Sequence, residues 1–139
     1  MKKAIYIAIA LLGTAALSSC QKTEVIEKTY YNNARSLWFE VSSNQWTADA
    51  GQGLWSYSRD IPQIDELIFE NGTVLVDISF GDGIFEPLTT VYEGLAYRYD
   101  YEVGRLWIDV TWADGQGGTV GRPGDITLKV ILLDGDPSN

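Results

Sequence analysis

The chain has 139 residues, 45% hydrophobic and 21% charged, with 19 acids against 10 bases, no histidine and a single cysteine, Cys20. Without histidine, Ser-His-Asp and Cys-His catalysis and His-ligated zinc or haem are excluded; one cysteine excludes a disulfide framework and a four-cysteine zinc site. A formal charge of −9 sets the surface against nucleic acid and anionic lipid headgroups.

Lys2 and Lys3 open the chain, an apolar run follows from Ala4 to Leu17, and small residues close it at Ser18 and Ser19. A charged start, an apolar centre and a small-residue end make a secretory signal. The run is 14 residues, short of the roughly 20 that a permanent transmembrane helix needs. Leu17-Ser18-Ser19-Cys20 resembles the lipobox of bacterial lipoproteins. The resemblance implies that diacylglycerol is joined to the Cys20 sulfur by a thioether, that residues 1–19 are removed as a signal peptide, and that the new amino group is acylated, commonly with palmitate. That chemistry uses a thiolate nucleophile and small residues that let the peptidase approach the backbone. Several acyl chains meet the two-signal requirement for stable anchoring. Gln21 stands where an aspartate retains enterobacterial lipoproteins in the inner membrane, so the resemblance favours the outer membrane. Glu24 and Glu27 are interrupted by Lys22 and Lys28, which leaves open whether the anchor faces the periplasm or the cell surface.

All 19 acids lie beyond Cys20 but only eight bases do, so the mature chain carries −11 over 120 residues. That length suits one domain with a real core, stabilised without disulfides despite export. Residues 20–36 read as the lipidated cysteine and a polar tether, and 37–139 as a β domain.

In the domain, apolar and polar residues alternate in short runs separated by Gly, Asn, Asp and Pro, the pattern of an antiparallel all-β fold. Leu37, Phe39 and Val41 share one face of a first strand, and Trp55, Tyr57 and Ile61 one face of a second, with Arg59 as its odd member. Pro62 to Leu67 reads as one helical turn crossing between sheets, and Asn71-Gly72 as a turn into the clearest strand. There Val74, Val76, Ile78 and Phe80 point inward, and Thr73, Asp77 and Ser79 outward. Gly81-Asp82-Gly83 is a turn, Leu88 to Tyr92 a short strand, and Asp125 to Leu133 a last strand burying Ile126, Leu128, Val130 and Leu132.

Between Leu95 and Trp112 the register of a hairpin is legible. A two-residue loop at Val103-Gly104 pairs Tyr101 with Leu106, Tyr99 with Ile108 and Tyr97 with Val110 on one face. The other face pairs Glu102 with Arg105, Asp100 with Trp107 and Arg98 with Asp109. A three-residue loop would set Arg98 opposite Ile108, and register follows the choice that keeps one face apolar. Gly104 supplies the positive φ of such a turn, and two cross-strand ion pairs of about 0.2–1 kcal/mol each add support.

About seven short strands indicate a two-sheet antiparallel β-sandwich, Ig-like or jelly-roll-like; no Cys pair flanks a core Trp, so the immunoglobulin signature is absent. The segments Asn71-Gly72-Thr73-Val74-Leu75-Val76 and Glu86-Pro87-Leu88, the tyrosine-alternating hairpin and the closing Leu128-Lys129-Val130-Ile131 resemble a set of small lipoproteins common in the Bacteroidota. That resemblance implies a β-sandwich and supplies no catalytic residues.

Trp107, among Arg105, Asp109 and Asp100 on the polar face of the hairpin, is the leading candidate for a binding surface, with Arg98 beside them. Stacking on an exposed tryptophan with polar contacts around it is how many β-sandwich modules hold a sugar ring, whereas a large aromatic is otherwise mostly buried. Trp38, beside Glu40, is a second candidate. Trp46 and Trp55 flank the loop Ala48-Asp49-Ala50-Gly51-Gln52-Gly53 and are expected to cap one end of the sandwich. The turns Gly81-Asp82-Gly83, Asp114-Gly115-Gln116-Gly117 and Asp134-Gly135-Asp136 offer carboxylates that calcium accepts, but none has the EF-hand spacing, and Asp-Gly is common turn chemistry. A two-carboxylate hydrolase needs a pair of acids about 5–10 Å apart with one pKa raised. Asp100 and Asp109 alternate with arginines that favour the ionised form. The expectation is a non-catalytic envelope lipoprotein without cofactor or metal, held to the membrane by its lipid. Its sandwich binds a glycan or a protein, or serves as a structural accessory subunit of a larger envelope complex.

Overall fold

The computed structural model describes residues 34–115 and 118–135. The lipobox, Cys20, the tether up to residue 33 and Asp136 lie outside the described residues.

Nine strands and one short helix follow in chain order. They are β1 (Ala34–Val41), β2 (Thr47–Asp49), β3 (Leu54–Asp60), α1 (Glu66–Asn71), β4 (Thr73–Ser79), β5 (Glu86–Pro87), β6 (Thr90–Tyr92), β7 (Leu95–Glu102), β8 (Arg105–Trp112) and β9 (Ile126–Leu133). The strands form two sheets, β1-β9-β4-β5 and β2-β3-β8-β7-β6, and every pairing is antiparallel. The chain is an all-β two-sheet sandwich. The two strands beyond the expected seven are β2 and β5, of three and two residues, too short for any alternation to show in sequence. β1 starts at Ala34, inside the stretch expected to be tether, because its first residues pair with the end of β9.

The core lies where the inner faces meet. β9 is central in its sheet, and its alternate residues Ile126, Leu128, Val130 and Leu132 are all buried, as are Val74, Val76 and Ile78 of β4 and Leu106, Ile108 and Val110 of β8. This is the period-two pattern of half-buried strands. The β7–β8 hairpin has the anticipated register, with Glu102 opposite Arg105 and Tyr97 opposite Val110, and Gly104 takes a φ of +82°. Its turn is docked: the Ile61 N–H donates to the Gly104 carbonyl at 2.8 Å, and the Gly104 N–H donates to the Ile64 carbonyl at 2.7 Å.

Three expectations need correction. The helical turn is not at Pro62–Leu67 but at Glu66–Asn71, because Asp65 is the N-cap, its Oδ1 accepting the Ile68 N–H at 2.9 Å. Asn71-Gly72, where the chain turns into β4 as expected, is thus also the end of this helix. The Gly72 N–H donates back to the Ile68 carbonyl at 3.0 Å, and a Cβ at Gly72 would collide with the Leu133 carbonyl. Leu88 to Tyr92 is not one strand. Leu88 turns onto the core with its N–H on the Val76 carbonyl at 2.8 Å, so β5 and β6 fall in different sheets. Ser79, expected outside, is only 3% exposed; the following turn folds back over it, with its Oγ 3.5 Å from Asp82 Oδ1. Phe80, half-buried as the end of the inward row, stacks on Tyr92 at 3.9 Å and meets Tyr97 edge-on at 5.0 Å.

Candidate functional site

The outer face of the five-stranded sheet is polar because the outward residues of β3, β7 and β8 are. Cross-strand pairing lays them in rows: Ser56, Asp109 and Arg98; then Ser58, Trp107 and Asp100; then Asp60, Arg105 and Glu102. Trp107 thus occupies the middle of the face, half-buried.

Its neighbours are pinned. Arg98 Nη2 lies 3.6 Å from Asp109 Oδ2, the pair anticipated from the sequence. Arg105 reaches away from Glu102 to β3 instead, its Nε donating to Asp60 Oδ1 at 2.7 Å, with its guanidinium carbon 5.9 Å from the Trp107 ring centre. β3 was not part of the two-strand reading, so its carboxylate was not in the competition there.

Beside Trp107 opens a groove of about 690 Å³, walled by Gln45, Thr47, Ser56 and Ser58 and by the start of the 48–53 loop. The groove is shallow and open to solvent. The groove lies on the β2–β3 side of Trp107, so Arg98, Asp100 and Asp109 share the sheet face without lining it. Of the four residues proposed from sequence, one belongs to the groove. Sequence reasoning missed Gln45, Thr47, Ser56 and Ser58. Ser56 and Ser58 gave a signal as small polar residues at outward positions of β3, which needed the β3–β8 pairing to be placed, whereas Gln45 and Thr47 lie before and in β2 and gave none.

The wall is fixed by its own hydrogen bonds. Gln45 Oε1 accepts the Ser42 N–H at 2.8 Å. Asp49 Oδ1 accepts from the Gly51 and Gln52 N–H groups at 3.0 and 3.1 Å, and its Oδ2 from Gln52 Nε2 at 3.0 Å. The only carboxylate in the lining is thus engaged in holding a turn. What remains towards the opening is an indole edged by hydroxyls and an amide.

Three of the other four tryptophans sort clearly. Trp46 is buried, its Nε1 donating to the Gly124 carbonyl at 3.2 Å, and Trp55 Nε1 donates to the Val120 carbonyl at 2.7 Å. Both close one end of the sandwich, with Arg122 over the Trp55 ring at 5.1 Å. Trp38 is 59% exposed on the other sheet. Among the described residues no group of three or more acids, cysteines or histidines is placed to hold a metal. In the Gly81–Gly83 turn, Asp82 Oδ1 accepts the Ile84 N–H at 2.9 Å, the local chemistry of an Asx turn.

Comparison with protein-family models, with curated proteins and with solved structures returns no match.

Proposed function

We propose that this chain is a cell-envelope lipoprotein, anchored to the outer membrane through lipid on Cys20, and that its sandwich is a non-catalytic module for binding a glycan in the Trp107 groove. The observation that carries the reading is a half-buried indole bordered by Gln45, Thr47, Ser56 and Ser58 in a groove of about 690 Å³. An indole face covers the apolar side of a sugar ring, while hydroxyl and amide groups exchange hydrogen bonds with its hydroxyls. Arg98 is paired with Asp109 and Arg105 with Asp60, and the one carboxylate of the lining, Asp49, holds a turn, so the groove suits a neutral glycan. The non-catalytic part of the reading is supported by the lack of histidine and by Arg98, which holds Asp109, one of the two acids of the hairpin face.

A glycan array probed with the mature chain and with Trp107→Ala tests this. Retention of a neutral glycan that the variant loses supports it; no retention, or retention that Trp107→Ala leaves intact, refutes it. For the anchor, mass spectrometry of the mature N-terminal peptide should find acylated Cys20, and an unmodified Cys20 refutes that part alone.

A further inference from the structure

The four sheet edges are unequal. β5 is two residues long and ends in Pro87, and β2 and β6 are three residues each. Shortness and proline are standard ways of blunting an edge. β1 has neither. It runs eight residues, Ala-Arg-Ser-Leu-Trp-Phe-Glu-Val, pairs without interruption from Ala34 opposite Leu133 to Val41 opposite Ile126, and has β9 as its only neighbour among the described residues. It contains no Pro, Gly or Lys and no bulge.

The side chains of this edge are also incomplete in their packing. Leu37 and Phe39 point into the sandwich yet stay half-buried, whereas Val41 is buried. On the outer face Trp38 is exposed but held: its ring meets Phe85 edge-on at 5.1 Å, and Lys129, bonded to Asp77 at 2.8 Å, lies 5.9 Å from its centre. An ordered, exposed tryptophan beside an open strand edge has the character of an interface anchor.

We propose that β1 is the contact with a second copy of this chain, the two strands pairing antiparallel about a two-fold axis through Trp38 and joining two four-stranded sheets into one of eight. The sequence of β1 is self-complementary in that register. Trp38 of one copy lies opposite Trp38 of the other, Leu37 opposite Phe39, Arg35 opposite Val41, and Ser36 opposite Glu40. Leu37 meets Phe39 on the inner face and Trp38 meets Trp38 on the outer one, Arg35 meets Val41 at the strand ends, no like charges face each other, and the inward row stays inward, as a two-fold pairing requires. The neighbouring register, centred on Leu37, sets Arg35 opposite Phe39, whose ring already carries Arg59 at 4.8 Å. Because the described residues carry sixteen acids against six bases, two copies repel at long range. Salt screens that repulsion, so dimerisation strengthens with ionic strength instead of weakening.

The experiment uses the full-length chain made in a Gram-negative host, extracted in detergent and mildly oxidised as wild type, Trp38→Cys and Leu75→Cys. Residues on a two-fold strand axis sit about 4.5–5.5 Å apart between Cα atoms, inside the range a disulfide spans. The expected result is a covalent species of twice the mass from Trp38→Cys alone. Leu75 is 44% exposed on the same sheet face but two strands inward, so its cysteine reports random collision. Wild type gives the baseline due to Cys20. In parallel, Trp38→Lys should raise the dimer dissociation constant at least tenfold in sedimentation while leaving the melting temperature within a few degrees. A Trp38→Cys chain that stays monomeric, one that cross-links no better than Leu75→Cys, one that joins a protein of different mass, or a dimer indifferent to Trp38→Lys each overturns the proposal.

Discussion

Two tyrosines on the strands either side of β8 make opposite predictions for the same chemical change. Tyr57, on β3, is buried against Trp46, with ring centres 6.0 Å apart, and its hydroxyl has no hydrogen-bond partner among the described residues. Tyr99, on β7, donates from its hydroxyl to the Val74 carbonyl at 2.9 Å across the sandwich. A buried polar group without a partner costs about 1–3 kcal/mol, whereas a made hydrogen bond contributes about 0.5–1.5 kcal/mol. Tyr57→Phe should therefore stabilise the fold by about 1 kcal/mol, after allowance for the small void left by the oxygen, and Tyr99→Phe should destabilise it by about 1 kcal/mol. For a domain of about 100 residues each kcal/mol moves the midpoint by roughly 4–8 °C. The two variants should therefore melt about 10 °C apart on opposite sides of wild type. Thermal and urea unfolding followed by circular dichroism read this directly, with the m-value checking that the denatured state is unchanged. A Tyr57→Phe chain that melts below wild type, or the two variants melting together, would refute the reasoning.

Three further outcomes follow from individual contacts. Gly72→Ala should lower stability by about 1–3 kcal/mol, the range of an overpacked site, because the added Cβ runs into the Leu133 carbonyl while φ at Gly72 is an unstrained −98°; urea unfolding measures it, and a neutral result would mean that the α1–β9 approach is looser than described. Asp65→Ala removes the cap on the Ile68 N–H and should cost about 0.5–2 kcal/mol, with Asp65→Asn largely rescuing it; equal losses in both variants would assign the effect to charge instead. Burial raises the phenols of Tyr97 and Tyr99 from their ordinary 10.0, with Glu93 and then Tyr92 adding to the shift at Tyr97 and Tyr101 adding to it at Tyr99. The native state thus keeps protons that the unfolded chain has released. Stability should hold up to about pH 10 and fall as pH rises through the raised values, Tyr97→Phe should flatten that fall, and an unchanged alkaline limb in the variant would contradict it.

How legible the fold was depended on how much of each element's environment lay within a few residues of sequence. The β7–β8 hairpin could be placed residue by residue, since its register is decided by which face stays apolar and by one glycine in the turn. β9 was equally plain, because a central strand alternates along its whole length. The helix was misplaced by four residues for the opposite reason. Pro62 suggests a helix start, but the cap that decides it is the Asp65 carboxylate on the Ile68 N–H, and the 61–64 segment is instead held by hydrogen bonds to Gly104, forty residues away. Leu88 looked like part of a strand because an apolar residue between Pro87 and Thr89 fits one; that it turns between the sheets depends on the Val76 carbonyl.

The candidate site divides along the same line. Trp107 was identifiable because the hairpin alone fixes which side of the sheet it faces. Its groove was not, because the wall comes from β3 and from the segment leading into β2, and short outward serines and threonines look alike whether they border a ligand or bare solvent. Arg105 shows the limit most directly. Within the hairpin its nearest acid is Glu102, and a two-strand reading must pair them. A third strand supplies Asp60 at 2.7 Å, and that choice turns the guanidinium toward β3, with its carbon 5.9 Å from the Trp107 ring centre. The chemistry on offer at Trp107 is thus set by the strand that the hairpin cannot see.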